Sequence, residues 1–207
     1  MKGDGVRVAI NLKSYTMNIQ TLGLMAGMLF AGIGLGWSLH TQVPPENHIP
    51  ARTAADYLHA VIEADRTFYT QHIVERMEAM LIVTASEDWV KEKTLPLPVQ
   101  FLREASRSLR VRDTPFRYRL ISPWPLNSQN TPVSDQERQM LDQVVKFGEV
   151  VEGEIRADHK RYFQAIYPDR AVSRACVSCH NAHAESPKRD FKLNDVMGGL
   201  VIEVPLD

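Results

Sequence analysis

Cys176-Val177-Ser178-Cys179-His180 holds the only two cysteines of a 207-residue chain, spaced C-x-x-C and followed at once by a histidine. Two thiols at that spacing suit thioether bonds to the two vinyl groups of one haem. The histidine that follows is placed to reach the iron as proximal axial ligand. The stretch therefore predicts one covalent haem c, with Cys176, Cys179 and His180 as its holders, and a surrounding fold that has to cover and tune that group. Three other readings compete. A redox disulfide of thioredoxin type would follow a strand in a βαβ pattern, which the sequence does not show. A zinc site completed by His183 would use adjacent residues, Cys179 and His180, whereas structural zinc draws its ligands from two separated knuckles. The third is a chance pair of buried or disulfide-bonded cysteines.

Covalent haem is assembled outside the cytoplasm, so the motif makes a demand on topology, and the N-terminus meets it. Residues 17–39 (MNIQTLGLMAGMLFAGIGLGWSL) carry no charge and are long enough to span a bilayer. Lys2, Arg7 and Lys13 against Asp4 give residues 1–16 a positive excess that favours a cytoplasmic N-terminus. A cleaved signal peptide is the alternative, but the apolar run is long and no small-x-small cleavage site follows it. Gly23, Gly27, Gly32 and Gly36 allow a partner helix close approach. The expected location is a bacterial inner membrane, single-pass, with residues 51–207 in the periplasm. Residues 40–50 (HTQVPPENHIP) form a proline-rich linker. A formal net charge of −1 gives no basis for nucleic-acid binding.

From Ala51 to about Ala85 apolar residues recur at helical spacing. Leu58, Val61, Ile62, Asp65, Phe68, Tyr69 and His72 fall on one arc, with His72 near its middle and His59 to one side. A polar loop is expected over Glu87–Leu95, and a helix over Val99–Arg110 behind Pro96 and Pro98. Phe116–Ser122 alternates as a half-buried strand. Ser134 with Glu137 starts a helix that runs to Phe147 and stops at Gly148. Glu149–Ile155 and Lys160–Tyr167 read as paired strands, the haem motif as a short helical turn, and Gly198–Val204 as a central strand. Helices followed by antiparallel strands make this α+β.

A c-type haem has a second axial position. His72, centred on the predicted inward stripe, is the first candidate for it. His59 and Met80 are the main alternatives, with Met77, His159, His183 or an open site behind them. Among the cations flanking the motif, Arg174 and Arg161 are the candidate partners of the haem propionates.

Several stretches together resemble a family of periplasmic, c-haem-binding, PAS-like domains found in bacterial sensors. These are Arg66-Thr67-Phe68-Tyr69-Thr70 on the long helix, Thr94-x-Pro96 through Leu109 with Phe116–Ser122, and Asn127–Pro132 with Glu137 and Leu141–Phe147. Tyr162-Phe163-x-x-Ile166 ahead of the motif and Asp195–Gly199 leading into Val204-Pro205-Leu206 complete the set. The resemblance spans residues 51–207 and implies a PAS-like antiparallel sheet behind a long N-terminal helix. Leu126-Asn127-Ser128 departs from the family's arginine-asparagine-proline turn, and no cysteine is left to serve opposite His180, as one does in some members.

The chain closes at Asp207, soon after its last strand, and carries no output module, so a sensor kinase is not expected. No acid–base or nucleophile constellation stands beside the motif, and no catalytic residue is assigned. The expected role is electron transfer, alone or as accessory subunit of a membrane redox complex. The alternative is a haem-based redox or gas sensor that signals through a partner. A haem enzyme is a weaker third reading, with only Asp65 or His159 to offer as distal acid or base.

Overall fold

The computed structural model describes residues 48–157 and 159–206. The expected cytoplasmic N-terminus, the transmembrane anchor with its glycines and most of the linker lie outside these residues. Among the described residues, no helix is long and apolar enough to cross a membrane.

An alanine-rich start after Pro50 favours helix over every alternative, and the chain enters α1 (Ala51–Phe68) there. It passes through a π-helical stretch (Tyr69–Val74) into α2 (Glu75–Ala79) with helical backbone at each junction, so the three form one continuous rod. The rod ends about six residues before the expected Ala85. Two short bridges, β1 (Ala85–Ser86) and β2 (Leu95–Pro96), pair in parallel around α3 (Trp89–Glu92), a helical turn where a loop was expected. In α4 (Pro98–Val111) proline opens the helix, and the Gln100 side chain accepts the Leu97 N–H at 2.9 Å.

Next come β3 (Arg117–Ile121), a 3-10 turn over Ser128–Asn130, and α5 (Asp135–Phe147). At the start of α5 the Ser134 hydroxyl accepts the Glu137 N–H at 3.1 Å. The reciprocal half of the expected capping box is displaced by one residue, because Glu137 accepts the N–H of Val133 at 2.7 Å. Gly148 stops the helix at φ +69°. Then follow β4 (Val151–Ala157), β5 (Lys160–Arg170), α6 (Arg174–Ala182) and β6 (Val196–Pro205).

The four long strands form one antiparallel sheet in the order β3-β6-β5-β4, with the C-terminal strand inside, as its apolar run predicts. Side chains alternate across it. Leu200, Ile202, Ala165 and Tyr167 pack with Ala55 and Ile62 of α1 and Leu102 of α4. Val201 and Ile166 pack on the opposite face, with Met140, Leu141 and Val144 of α5. The molecule is α+β, with helices on both faces of an antiparallel sheet.

One expectation about the rod is overturned. Its inward arc runs through Ala55, His59, Ile62, Arg66 and Thr70. Val61 and Phe68 are each 60% exposed, and His72 is exposed too. The rod carries apolar residues on two arcs, and helical periodicity alone cannot say which one meets the sheet. The π-helical stretch adds to the error, because it changes the angular step per residue just where His72 lies.

Candidate functional site

Strand β5 hands the chain to α6 at the same sheet edge where β6 begins. The Ser173 hydroxyl caps α6 by accepting the Cys176 N–H at 3.3 Å. Residues three and four apart on a helix share a face, so Cys176, Cys179 and His180 project together from one side of α6. Both thiols are free. Cys176 packs, with Val177 and Trp124, against a small core of Ala171, Phe191 and Met197 that seats the helix.

His180 is half-buried and lies edge-on to Phe191, ring centroids 5.8 Å apart at 87°. Burial lowers its pKa, reinforced by the His183 ring and the Arg66 guanidinium, while Asp169 opposes the shift. Burial therefore favours the neutral imidazole, the form that offers a lone pair to a metal. Burial, with help from Glu87, Cys176 and Glu78, pushes the Cys179 thiol upward. A thiol shifted in that direction is a poor redox nucleophile, which weighs against the thioredoxin-type reading. Among the described residues no group of three or more His, Cys, Asp and Glu is placed to hold a metal ion.

Three sets of contacts that hold α6 and the end of β5 lie outside the C-x-x-C-H stretch. Asn181 clamps the following loop through a reciprocal pair: its Nδ2 donates to the Phe191 carbonyl at 2.9 Å, and the Phe191 N–H donates back to its Oδ1 at 3.0 Å. The lower rod docks on the start of α6. Gln71 donates to the Val172 carbonyl at 2.9 Å, and Glu75 accepts the Ala175 N–H at 3.4 Å. Arg66 makes an ion pair with Asp169 and donates to the Arg170 carbonyl at 3.4 Å.

The candidate iron ligands are scattered along the rod. His72 sits in the stretch that touches α6, but it faces outward with its ring 5.0 Å from Phe68. His59 lies further up, stacked on Tyr167 at 4.0 Å and 3.5 Å from Glu63; its pKa is lowered by burial and partly restored by Glu63, Asp56 and Asp169. Met80 caps the end of α2 and is 56% exposed. His183 ends α6, 3.8 Å from Glu87. His159 lies in the β4–β5 turn, at the opposite end of the sheet.

Of the two arginines expected near the propionates, Arg174 opens α6 and is exposed. Arg161 does not belong to this region. It stands near the start of β5, nine residues from Arg170, or about 30 Å along an extended strand. Arg66 is the guanidinium that shares His180's surroundings. Sequence separation hid it, because Arg66 and Asp169 meet only through the docking of the rod on the sheet.

A run of apolar side chains is left uncovered where the rod ends. Met80, Leu81 and Ile82 are 56%, 93% and 60% exposed, between Glu78 and Glu87, the two carboxylates that act on Cys179. Leu81 adopts a left-handed φ of +56° in a helix-ending turn where glycine is the usual residue. Its side chain therefore stands in solvent at a conformational cost that no protein contact returns.

The profile of the Tll0287-like family, described as Tll0287, matches residues 48–205. The chain belongs to the Tll0287-like family. Among solved structures it is similar to the cyanobacterial heme-protein Tll0287, at 14% identity. That alignment covers 54% of this chain and 73% of the other, with a TM-score of 0.39. Among curated proteins no relative matches.

Proposed function

We propose that this member of the Tll0287-like family is a membrane-anchored, periplasmic monohaem c-type cytochrome domain of PAS-like fold. Its role in this reading is electron transfer, on its own or as accessory subunit of a membrane redox complex. The observation that carries the proposal is the shared face of α6. Two free thiols and an imidazole whose burial favours the neutral form lie at the spacing that covalent haem needs. The family takes its name from Tll0287, a heme-protein, and membership in it supports the same cofactor class. An antiparallel sheet with helices on both faces agrees with the PAS-like resemblance.

In this reading Cys176 and Cys179 hold the group through thioethers and His180 is the proximal ligand. Arg174 or Arg66 serves the propionates. Bound there, the haem supplies one-electron chemistry. The chain's own residues orient and protect. Phe191 fixes the plane of the His180 ring, the Arg66–Asp169 pair sets the local field, and Leu81 and Ile82 exclude water. His72 remains the proposed distal ligand, because its stretch of the rod is the one fastened to α6 through Gln71 and Glu75. His59 and Met80 are the alternatives. The uncharged residues 17–39, behind a positively charged start, support an inner-membrane anchor with Gly23, Gly27, Gly32 and Gly36 free to meet a partner helix.

One observation favours sensing as a second reading. A single rod runs from Ala51, directly after the linker, to the contacts with α6, so a change at the haem could be passed toward the anchor. One experiment separates the readings. The full chain, matured with a c-haem assembly system and kept in detergent, is examined oxidised, reduced, and reduced under carbon monoxide. Haem that survives denaturation, with a low-spin spectrum indifferent to carbon monoxide, supports electron transfer; ready carbon monoxide binding supports sensing. No covalent haem refutes both. A low-spin spectrum that persists in His72→Ala moves the distal ligand to His59 or Met80.

A further inference from the structure

At the other end of the sheet lies a cavity of about 580 Å3 that the haem reading does not use. Gln164, which lines it, is six residues before Arg170, or about 20 Å along β5 from the strand end that leads to α6. The cavity lies between α4, β3, the central strands and the N-terminal turn of α5. Its volume falls in the range of small-molecule sites. Six arginines line it (Arg103, Arg107, Arg110, Arg117, Arg119 and Arg156) against two carboxylates in the lining, Glu137 and Glu203, and a third outside it, Glu104, that pairs with Arg103 and Arg107. A concave wall with that excess of cations attracts anions.

The polar groups at its floor are arranged but not fully used. Glu137 is 1% exposed, paired with Arg119 and bonded to the Val133 N–H. Gln164 is 2% exposed, and its Nε2 donates to Glu203 at 3.0 Å and to Glu137 at 3.4 Å. Two carboxylate acceptors thus settle which way the Gln164 amide points. Its Oε1 is left buried with no hydrogen-bond partner, and so is Nη1 of Arg119; Nε of Arg103 makes no hydrogen bond either, and lies 3.8 Å from the Glu104 carboxylate. Buried polar atoms are rarely left unpaired, because each costs on the order of 1–3 kcal/mol. Here three of them, two guanidinium donors and one amide acceptor, belong to the lining of one cavity.

We infer that this cavity binds a small hydroxy-polycarboxylate. Planar carboxylates match the fork of the arginine side chain, and more than one of them is needed to answer the excess of cations. The Gln164 Oε1 calls for a donor, which a hydroxyl on the ligand supplies. Arg119 is the central contact: one arm is already spent on Glu137, and the other is unpartnered.

Titration calorimetry on the full chain in detergent tests this with citrate, tricarballylate (citrate without its hydroxyl) and inorganic phosphate. The readout is independent of the haem, so the two proposals stand or fall separately. Citrate should bind saturably at one site per chain, with tricarballylate and phosphate each about tenfold weaker or worse. Arg156→Ala, at an exposed position, and Arg119→Lys, which keeps a cation beside Glu137 but removes the fork, should each weaken citrate by about tenfold. Tricarballylate binding as tightly as citrate overturns the role given to Gln164. Phosphate binding as tightly as citrate, citrate binding indifferent to both variants, or no saturable binding at all overturns the site.

Discussion

Removing the Asn181 side chain should loosen the wall behind His180 without touching any ligand. Asn181→Ala deletes both amide bonds to Phe191, at 2.9 and 3.0 Å. Each is worth about 1 kcal/mol net. Phe191 is only 3% exposed, so water cannot easily replace the lost partners. An unpaired buried N–H adds about 1 kcal/mol or more. The sum is about 3 kcal/mol. With a urea slope of about 2 kcal/mol/M, that lowers the unfolding midpoint by about 1.5 M. Amide hydrogen exchange at Phe191 gives the local readout, and its protection should collapse in the variant. Asn181→Asp makes a sharper control. It keeps the acceptor for the Phe191 N–H but sets a carboxylate oxygen against the Phe191 carbonyl, so it should cost at least as much as alanine. A loss below about 1 kcal/mol with Phe191 still protected would refute this account. The ring would then be held by its edge-on packing with Trp124, centroids 5.6 Å apart, and not by the clamp.

Other perturbations test the same framework. A Cβ at Gly198 would stand 2.2 Å from the Ile121 carbonyl oxygen, where no rotamer change relieves it. Gly198→Ala should therefore cost about 3 kcal/mol in urea unfolding, while Gly153→Ala, whose nearest neighbour is 3.6 Å away, stays within about 1 kcal/mol. Burial depresses the His59 pKa below its usual 6.5, so the folded state binds fewer protons than the unfolded chain. Its contribution is fully present above pH 6.5 and lost progressively as pH falls below that value. Urea midpoints measured between pH 7.5 and 5 should decline, and His59→Phe, which keeps a ring against Tyr167, should flatten the decline. Leu81→Gly should raise stability by about 0.5–1 kcal/mol by relieving the left-handed backbone.

Local chemistry determined most of the element plan. Proline ahead of α4, serine at the caps of α5 and α6, glycine after α5, and the apolar run of β6 each act within a few residues. Their effect can be read without knowing the fold. The shared face of Cys176, Cys179 and His180 is legible for the same reason, since the three sit within one helical turn and a half. The sequence did not determine which arc of the rod faces inward. Tyr57, Val61 and Phe68 on one side compete with Ala55, Ile62 and Val74 on the other, and only the apolar face of the sheet decides between them. That is why His72, expected on the inward stripe, faces outward. Arg161 was misplaced because nearness in sequence stood in for nearness in space, while β5 carried it to the far end of the sheet. Arg66 with Asp169, Asn181 with Phe191, and the arginine-lined cavity join side chains from separate elements, some more than a hundred residues apart. Such pairings exist only after hydrophobic burial has brought the elements together. Which distant polar groups meet was therefore left to tertiary packing.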